Sequence, residues 1–163
     1  MTPTAKTVRE SQTEMTELAL PGDSNPLGNI LGGRVMHWID LAAAMAAMRH
    51  AGQVAVTASM DRVEFLNPIK VGHVVHLTAC LIWVGRTSME VRVDVESEDM
   101  VTGEHNITST AYLTFVAIGA DGRPVPVPPL TVTTPQEAEE FQAAERRRAE
   151  RVKQRKPTHG TTP

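Results

Sequence analysis

Cysteine and long hydrophobic runs are scarce in this sequence of 163 residues. Its single cysteine, Cys80, cannot form an internal disulfide, which excludes cystine bridges as the basis of the fold. No apolar run is long enough to span a bilayer, and no charged segment followed by an apolar one resembles a secretion signal. We therefore expect a soluble, cytoplasmic protein of one domain that is large enough to bury its own core.

Metal-binding and phosphate-loop motifs are also missing. The six histidines do not cluster at ligand spacing, and His73 and His76 lie three apart on a predicted strand, which places them on opposite faces. Cys80 lies in the middle of that strand, which favours an inert packing residue over a nucleophile. A net charge of −3 gives no support to nucleic-acid binding. We expect no metal, no nucleic acid and no membrane among the partners.

The chain does contain one long helical pattern and several strand patterns. Alternation at 13–20 predicts a first strand, and a loop rich in glycine and proline then leads into a helix at about 34–50. Further strands are predicted at 54–65, 74–84, 88–96 and 107–118. Only three residues separate the middle two, which predicts an antiparallel hairpin. This order predicts an α+β fold in which the helix lies across a curled antiparallel sheet.

Asp40 is the only charged residue in the apolar, alanine-rich run 39–48 of the predicted helix. The small side chains of Ala43, Ala44 and Ala47 would allow this helix to approach the sheet closely. A carboxylate removed from water needs a partner or a use, whereas one on a solvent-exposed stripe needs neither. Both interpretations of Asp40 are open at this point.

Gly32 and Gly33 stand where the helix begins. The first N–H groups of a helix have no internal partner and the macrodipole is positive there, so Gly33 is a candidate oxyanion donor. The glycines could equally serve close packing, and the two roles are compatible. Asp40 follows Gly33 by seven positions, about 10 Å along a helix axis. The two cannot contact one carbonyl unless the chain enters obliquely or the partners come from different subunits.

Several motifs in order resemble the hotdog-fold acyl-CoA thioesterases, and most closely the short bacterial acyl-CoA hydrolases related to brain acyl-CoA hydrolase. The matching motifs are Asp23-Ser24-Asn25, residues 28–33, Met36, Asp40, residues 63–69, Val71-Gly72, residues 85–88 and residues 112–117. The resemblance covers about 13–128. It implies a hotdog fold, with one long central helix wrapped by a curled antiparallel sheet. It also implies hydrolysis of acyl-CoA to a free acid and coenzyme A, with no cofactor beyond the coenzyme A of substrate and product.

The same resemblance implies a site shared across a dimer interface, in a homo-oligomer that is at least a dimer and is expected to be a trimer of dimers, a hexamer. Asn25 matches the family's catalytic asparagine and Asp40 its catalytic aspartate. Asp40 would act as general base or as nucleophile through a transient anhydride, and the sequence does not choose between these routes. Without the family, an Asx-turn would be the favoured role for Asn25.

Coenzyme A carries phosphates, which cations and backbone donors recognise. Arg86, Thr87 and Ser88 at the predicted hairpin tip are the first candidates, followed by Arg62 and Lys70, each of which could also be a plain surface residue. Gly32 is assigned to substrate binding as well. Phe65 is a candidate contact for the acyl chain, although ordinary core packing would explain it too.

We expect a flexible N-terminus at 1–12, the hotdog thioesterase domain at 13–130, and a charged helical extension at 131–163 that ends in a disordered tail from Thr158. Acidic residues precede basic ones in the extension, which suits the helix dipole and favours a solvated helix over nucleic-acid or membrane binding. A role in oligomer contacts is a further possibility. Two rival functions are another hotdog enzyme, such as a hydratase, and a non-catalytic acyl-CoA or nucleotide sensor.

Overall fold

A twenty-residue helix lies across a five-stranded antiparallel sheet in the computed structural model, which describes residues 3–61 and 63–155. The helices are α1 (Val8–Ser11), α2 (Gly32–Ala51) and α3 (Pro135–Gln154). The strands are β1 (Lys6–Thr7), β2 (Thr13–Leu18), β3 (Ala55–Met60), β4 (Val74–Val84), β5 (Ser88–Glu98), β6 (His105–Ala117) and β7 (Leu130–Thr131). The predicted α+β class, with its long helix on an antiparallel sheet, is confirmed.

The strand order in the main sheet is β2-β4-β5-β6-β3, so β2 and β3 form its two edges. The predicted hairpin joins β4 and β5 through Gly85, Arg86 and Thr87. The strand predicted at 54–65 is wrong in its second half, because β3 shifts register between Thr57 and Ser59 and leaves the sheet after Met60. A bulge of this kind bends a strand and increases its twist.

The core lies between α2 and the inner face of the sheet. Ala42, Ala43, Ala46 and Ala47 are fully buried in a three-and-four spacing along the helix. They pack among inward side chains of the central strands, which include Leu77, Leu81, Val91, Val93, Leu113 and Phe115. Ala44 is only partly buried and packs at the edge of this core, whereas Ala43 and Ala47 are fully buried in it.

The N-terminal segment has regular structure where flexibility was predicted. β1 pairs in parallel with β7, and α1 begins with a capping box between Thr7 and Glu10. Val8 and Ser11 of α1 are buried. Residues 6–11 therefore have regular structure that local sequence patterns do not indicate, because the strand partner of Lys6 and Thr7 lies at the far end of the domain. The predicted flexibility of 1–12 stays a prediction. The predicted disordered tail from Thr158 lies outside the described residues.

Helix α3 packs on the face of the sheet opposite to α2. Its Phe141 and Ala144 contact a second apolar cluster that contains Ile82, Trp83 and Tyr112. Strand alternation places Tyr112 on the opposite face from Leu113, which belongs to the core under α2. The prediction of a merely solvated helix is therefore incomplete.

The arginines of α3 reach down to a carboxylate in the sheet. Arg147 Nη2 lies 2.9 Å from Glu90 Oε1, and Arg151 Nη2 lies 3.3 Å from Glu90 Oε2. Arg151 also binds Asp61 at 2.7 Å. The Glu90 side chain is only 1% exposed, and a carboxylate buried to this extent would be costly without paired cations. Arg147 and Arg151 of the predicted basic run therefore pair with carboxylates of the same chain.

Candidate active site

Asp40 lies at the border between the buried and exposed faces of α2. Its Oδ1 accepts a hydrogen bond of 2.7 Å from the hydroxyl of Thr57. Ile39 beside it is fully buried, whereas Leu41 is 43% exposed and Asp40 itself is half-buried. The single chain therefore fixes the carboxylate in place and leaves it open to solvent. Both interpretations of Asp40 apply in part, because its carboxylate has a specific partner and is also accessible to solvent.

Thr57 is a further candidate site residue, and no sequence motif indicates it. It lies on the edge strand β3, immediately before the register shift that separates Thr57 from Ser59 in the pairing with β6. Bulges frequently redirect a side chain next to a functional site. A threonine in a strand is ordinary on its own, so only the three-dimensional contact with Asp40 identifies it.

Asn25 lies in the loop that precedes α2, and its carboxamide oxygen closes a local turn. Oδ1 accepts hydrogen bonds from the N–H groups of Leu27 at 3.0 Å and Asn29 at 3.1 Å. This is the Asx-turn that the sequence allowed as the alternative. Across residues 3–61 and 63–155 the Asn25 side-chain nitrogen has no hydrogen-bond partner, so its two N–H donors are free to act on a ligand.

The start of α2 presents unpaired backbone donors. The N-cap residue Leu31 makes no side-chain cap, and its carbonyl accepts from Arg34 and Val35. The N–H groups of Gly32 and Gly33 have no backbone partner in the described part of the chain. A Cβ built at Gly33 would meet nothing within 4 Å. Packing within the chain therefore gives no reason for glycine at this position, whereas close approach of a ligand or a second subunit would.

Phe65 and Lys70 lie beside this loop and helix start. The Phe65 ring is 3.4 Å from the point where a Cβ on Gly32 would stand, and the residue is 49% exposed. Lys70 forms a backbone bridge with Asn29 and is exposed. The structure thus brings two of the predicted substrate contacts next to the asparagine loop.

Arg86, Thr87 and Ser88 form the tip between β4 and β5. The Arg86 carbonyl accepts from Val127 and the Thr87 carbonyl from Ala117, so the tip is held by the end of β6 and by the segment that follows it. The side chain of Arg86 is exposed. Among the described contacts of this chain, none joins the tip to Asn25 or Asp40. Arg62, another predicted cation, lies outside the described residues.

Other types of site find little support. Cys80 is buried, and burial raises the pKa of its thiol, which disfavours the reactive thiolate. Within residues 3–61 and 63–155, no three His, Cys, Asp or Glu side chains are arranged so that they could hold a metal ion. Over the same residues, no helix has the length and apolarity needed to cross a membrane.

The fold and this site define a thioesterase of the hotdog class, and comparison with known proteins agrees. The model of the thioesterase superfamily matches residues 27–104. The uncharacterized acyl-CoA thioester hydrolase YkhA of Bacillus subtilis is 42% identical over 83% of this chain and 79% of its own. The structure of an apo-hexameric acyl-CoA thioesterase superposes with a TM-score of 0.89 at 41% identity, over 93% of this chain and 97% of that one. The chain belongs to the thioesterase superfamily, among its acyl-CoA hydrolases, and the predicted family, fold and enzyme class are confirmed.

A further solved relative is the acyl-CoA hydrolase of Staphylococcus aureus in complex with butyryl coenzyme A, coenzyme A and coenzyme A disulfide. It is 37% identical, with a TM-score of 0.82 over 91% of this chain and 93% of its own. Structures also exist for variants of that enzyme in which an asparagine, an aspartate or a threonine is replaced by alanine. In that enzyme the aspartate follows the asparagine by fifteen positions, and the threonine follows the aspartate by seventeen.

Proposed function

We propose that this protein hydrolyses acyl-CoA thioesters to a free carboxylic acid and coenzyme A, with Asp40, Asn25 and Gly33 as its catalytic groups. The observation that carries the proposal is the Asp40 carboxylate, fixed by Thr57 at 2.7 Å and accessible on an otherwise apolar helix. A carboxylate that accepts a single hydroxyl hydrogen bond has further lone pairs that can accept a proton or attack a substrate.

The spacing of three residues supports this assignment. Asn25, Asp40 and Thr57 are separated by fifteen and then seventeen positions. The asparagine, aspartate and threonine that were replaced in the Staphylococcus aureus hydrolase have the same two separations. We therefore assign the same three positions to the site of this chain, with Thr57 as the residue that orients the carboxylate.

The proposed reaction uses the free N–H of Gly33 to stabilise the thioester carbonyl oxygen as it becomes negative. One positioned donor of this type is typically worth about 2.7–4 kcal/mol in the transition state. In one route Asp40 takes a proton from water, the hydroxide forms a bond to the acyl carbon, and the coenzyme A thiolate leaves. In the other, Asp40 attacks the acyl carbon and expels the thiolate, and water then cleaves the mixed anhydride. Asn25 would donate from Nδ2 to the carbonyl or the water.

We propose further that each site is shared between two copies of the chain. Strand β3 is an open edge, and Val54 and Val56 in and beside it are 61% and 46% exposed. Exposed apolar side chains also line α2 next to Asp40, namely Met36, Leu41, Met45 and Met48. Edge strands with this character are usually covered by a partner. A dimer would cover both surfaces and bring Asp40 of one copy towards the asparagine loop of the other. Three such dimers would form a hexamer, and two of the related thioesterases are hexameric.

In this arrangement the coenzyme A phosphates contact Arg86, Thr87, Ser88 and Lys70, and the acyl chain lies along Phe65. The proposed hydrolysis needs neither a metal ion nor a redox cofactor, because Asp40 supplies the base or nucleophile. The predicted cytoplasmic location stays a prediction.

The test is release of coenzyme A thiol from a panel of short to long acyl-CoAs by the natural protein and by Asp40→Asn. We expect release by the natural protein and a loss of at least about a hundredfold in the variant, with an unchanged oligomer. Asp121→Asn is the matched control, because Asp121 lies in an exposed turn where asparagine can accept the same Arg123 N–H bond. Acyl-CoA binding without release would support the sensor function instead, and full activity of Asp40→Asn would remove Asp40 from the mechanism.

A further inference from the structure

The first turn of α2 contains a cation where a helix normally disfavours one. Arg34 is the third residue of the helix, whose first turn has no acidic side chain and whose N-cap makes no side-chain hydrogen bond. The positive end of the helix dipole lies at this turn, so a nearby cation is electrostatically unfavourable. Helix stability therefore does not account for arginine at this position.

The Arg34 side chain is directed at Asp23 in the loop before the helix. Nε of Arg34 lies 2.9 Å from Oδ1 of Asp23, whose side chain is 17% exposed. The backbone carbonyl of Asp23 also accepts the N–H of Leu31 at 2.9 Å. Asp23 is thus bound twice to the start of α2, once through its main chain and once through its carboxylate.

These two bonds close the loop that carries Asn25, which follows Asp23 by two positions. The other bonds of Asn25 remain inside the loop, because its Oδ1 and its N–H both pair with residues 27–29. The later part of the loop is held separately, because Gly28 and Ile30 hydrogen-bond to Val71 and Ile69. The two Asp23 bonds hold its first part against the helix, so they contribute to the position of the free Asn25 amide relative to the Gly33 N–H.

We infer that Arg34 is a positioning residue, which fixes the Asn25 loop against the uncapped start of α2 through its ion pair with Asp23. This inference rests on the proposed function, in which Asn25 and Gly33 act on the same class of thioester. It assigns to Arg34 no contact with the substrate. Loss of the pair would therefore displace a catalytic group without removing a binding contact.

The experiment measures kcat and KM for Arg34→Gln, Arg34→Lys and Asp23→Asn with the acyl-CoA that the natural protein hydrolyses fastest. A small misplacement of a catalytic group lowers turnover strongly, so we expect about a tenfold lower kcat for Arg34→Gln and Asp23→Asn, with KM within about twofold. Arg34→Lys should recover part of kcat, because only the Nε atom of Arg34 pairs with Asp23 and a lysine also offers one nitrogen. Arg123→Gln, in the exposed turn after β6, is the control and should match the natural protein.

A double-variant cycle with Asn25→Ala decides between positioning and a general loss of structure. If Arg34 acts through Asn25, adding Arg34→Gln to Asn25→Ala should lower kcat no further. The same tenfold loss in both backgrounds, or a change confined to KM, would overturn the inference. A normal kcat in Arg34→Gln, together with a lowered kcat in Asn25→Ala, would overturn this inference and leave the proposed function standing. A natural protein that releases no thiol, or a fully active Asn25→Ala, would refute the proposed roles on which it rests.

Discussion

Helices α2 and α3 have the same length and cover opposite faces of one sheet, yet they are held by different interactions. Buried alanines of α2 pack directly on the sheet, whereas α3 combines a small apolar cluster with arginines that neutralise Glu90. Each interface also involves one notable carboxylate. Glu90 is enclosed and paired with two cations, and Asp40 is accessible and bonded to one neutral hydroxyl. The arginines around Glu90 give it a structural role, whereas the accessible carboxylate of Asp40 is the one that we propose as base or nucleophile.

The largest expected effect comes from removing the cations that α3 supplies. Arg147→Gln combined with Arg151→Gln leaves Glu90 buried without a cation in contact, and removing one side of a buried ion pair typically costs about 3–5 kcal/mol. We expect a loss of unfolding free energy of that order in urea at a fixed protomer concentration. Adding Glu90→Gln should restore a large part of it, because the uncompensated charge is then gone.

The matched control for this pair replaces two exposed cations of the same helix, Arg146→Gln with Lys153→Gln, and should change stability by less than about 0.5 kcal/mol. Unchanged stability in the Arg147 and Arg151 double variant would show that Phe141 and Ala144 hold α3 without help from the ion pairs.

A smaller effect, on activity alone, is expected at the Asp40 side. Thr57→Val keeps the shape of the side chain and removes the hydroxyl that donates to Asp40 at 2.7 Å. Hydrogen bonds to charged groups typically contribute about 1.5–3 kcal/mol when enclosed, so at this partly exposed site we expect turnover to fall about tenfold. The melting temperature should stay unchanged. Ser59→Ala, two positions along the same strand, is the control, and normal turnover in Thr57→Val would argue against an orienting role.

The smallest expected effect concerns the last turns of the two helices. The last turn of α3 contains Arg151 and Lys153, whereas α2 ends near His50, which is fully buried. Burial lowers the pKa of His50 below its ordinary value of 6.5. The hydrogen bond of 2.8 Å between Nε2 and the Pro128 carbonyl oxygen raises this pKa, but by less than burial lowers it. The unfolded chain therefore binds a proton more readily, so stability is complete above pH 6.5 and falls as the pH decreases towards the folded pKa.

Thermal unfolding from pH 7 to pH 5 measures this effect, with His50→Gln as the comparison because glutamine can still donate to Pro128. The decline in stability should be shallower in that variant. Carboxylates with lowered pKa values, such as Glu98 and Asp99, lose their contribution only below about their ordinary values of 4.5 and 3.8. Equal slopes in both proteins over pH 5–6.5 would show that His50 is not the group responsible.

Local patterns were enough to predict α2 and the hairpin of β4 and β5, because periodicity and a short turn are encoded by neighbouring residues. The second half of the strand predicted at 54–65 was wrong, since a register shift depends on pairing with β6. The contacts of Thr57 with Asp40 and of Arg147 with Glu90 join residues 17 and 57 positions apart, and no local pattern indicates them. Gly33 was proposed because it stands at the start of a helix, and Asp40 because it is a charge in an apolar run, whereas the catalytic roles of Asn25 and Asp40 came from their match to a family motif. Their catalytic roles remain predictions.

The pairing of β1 with β7 sets an order of events during synthesis. Lys6 lies opposite Leu130 and Thr7 opposite Thr131, so this small ladder joins two segments with almost the whole domain between them. A nascent chain leaves the ribosome with its N-terminal strand first, and that strand cannot form its ladder until residues 130 and 131 have emerged. The main sheet can be assembled before then, because its last strand ends at Ala117. The N-terminal strand is consequently among the last parts of the domain to be secured.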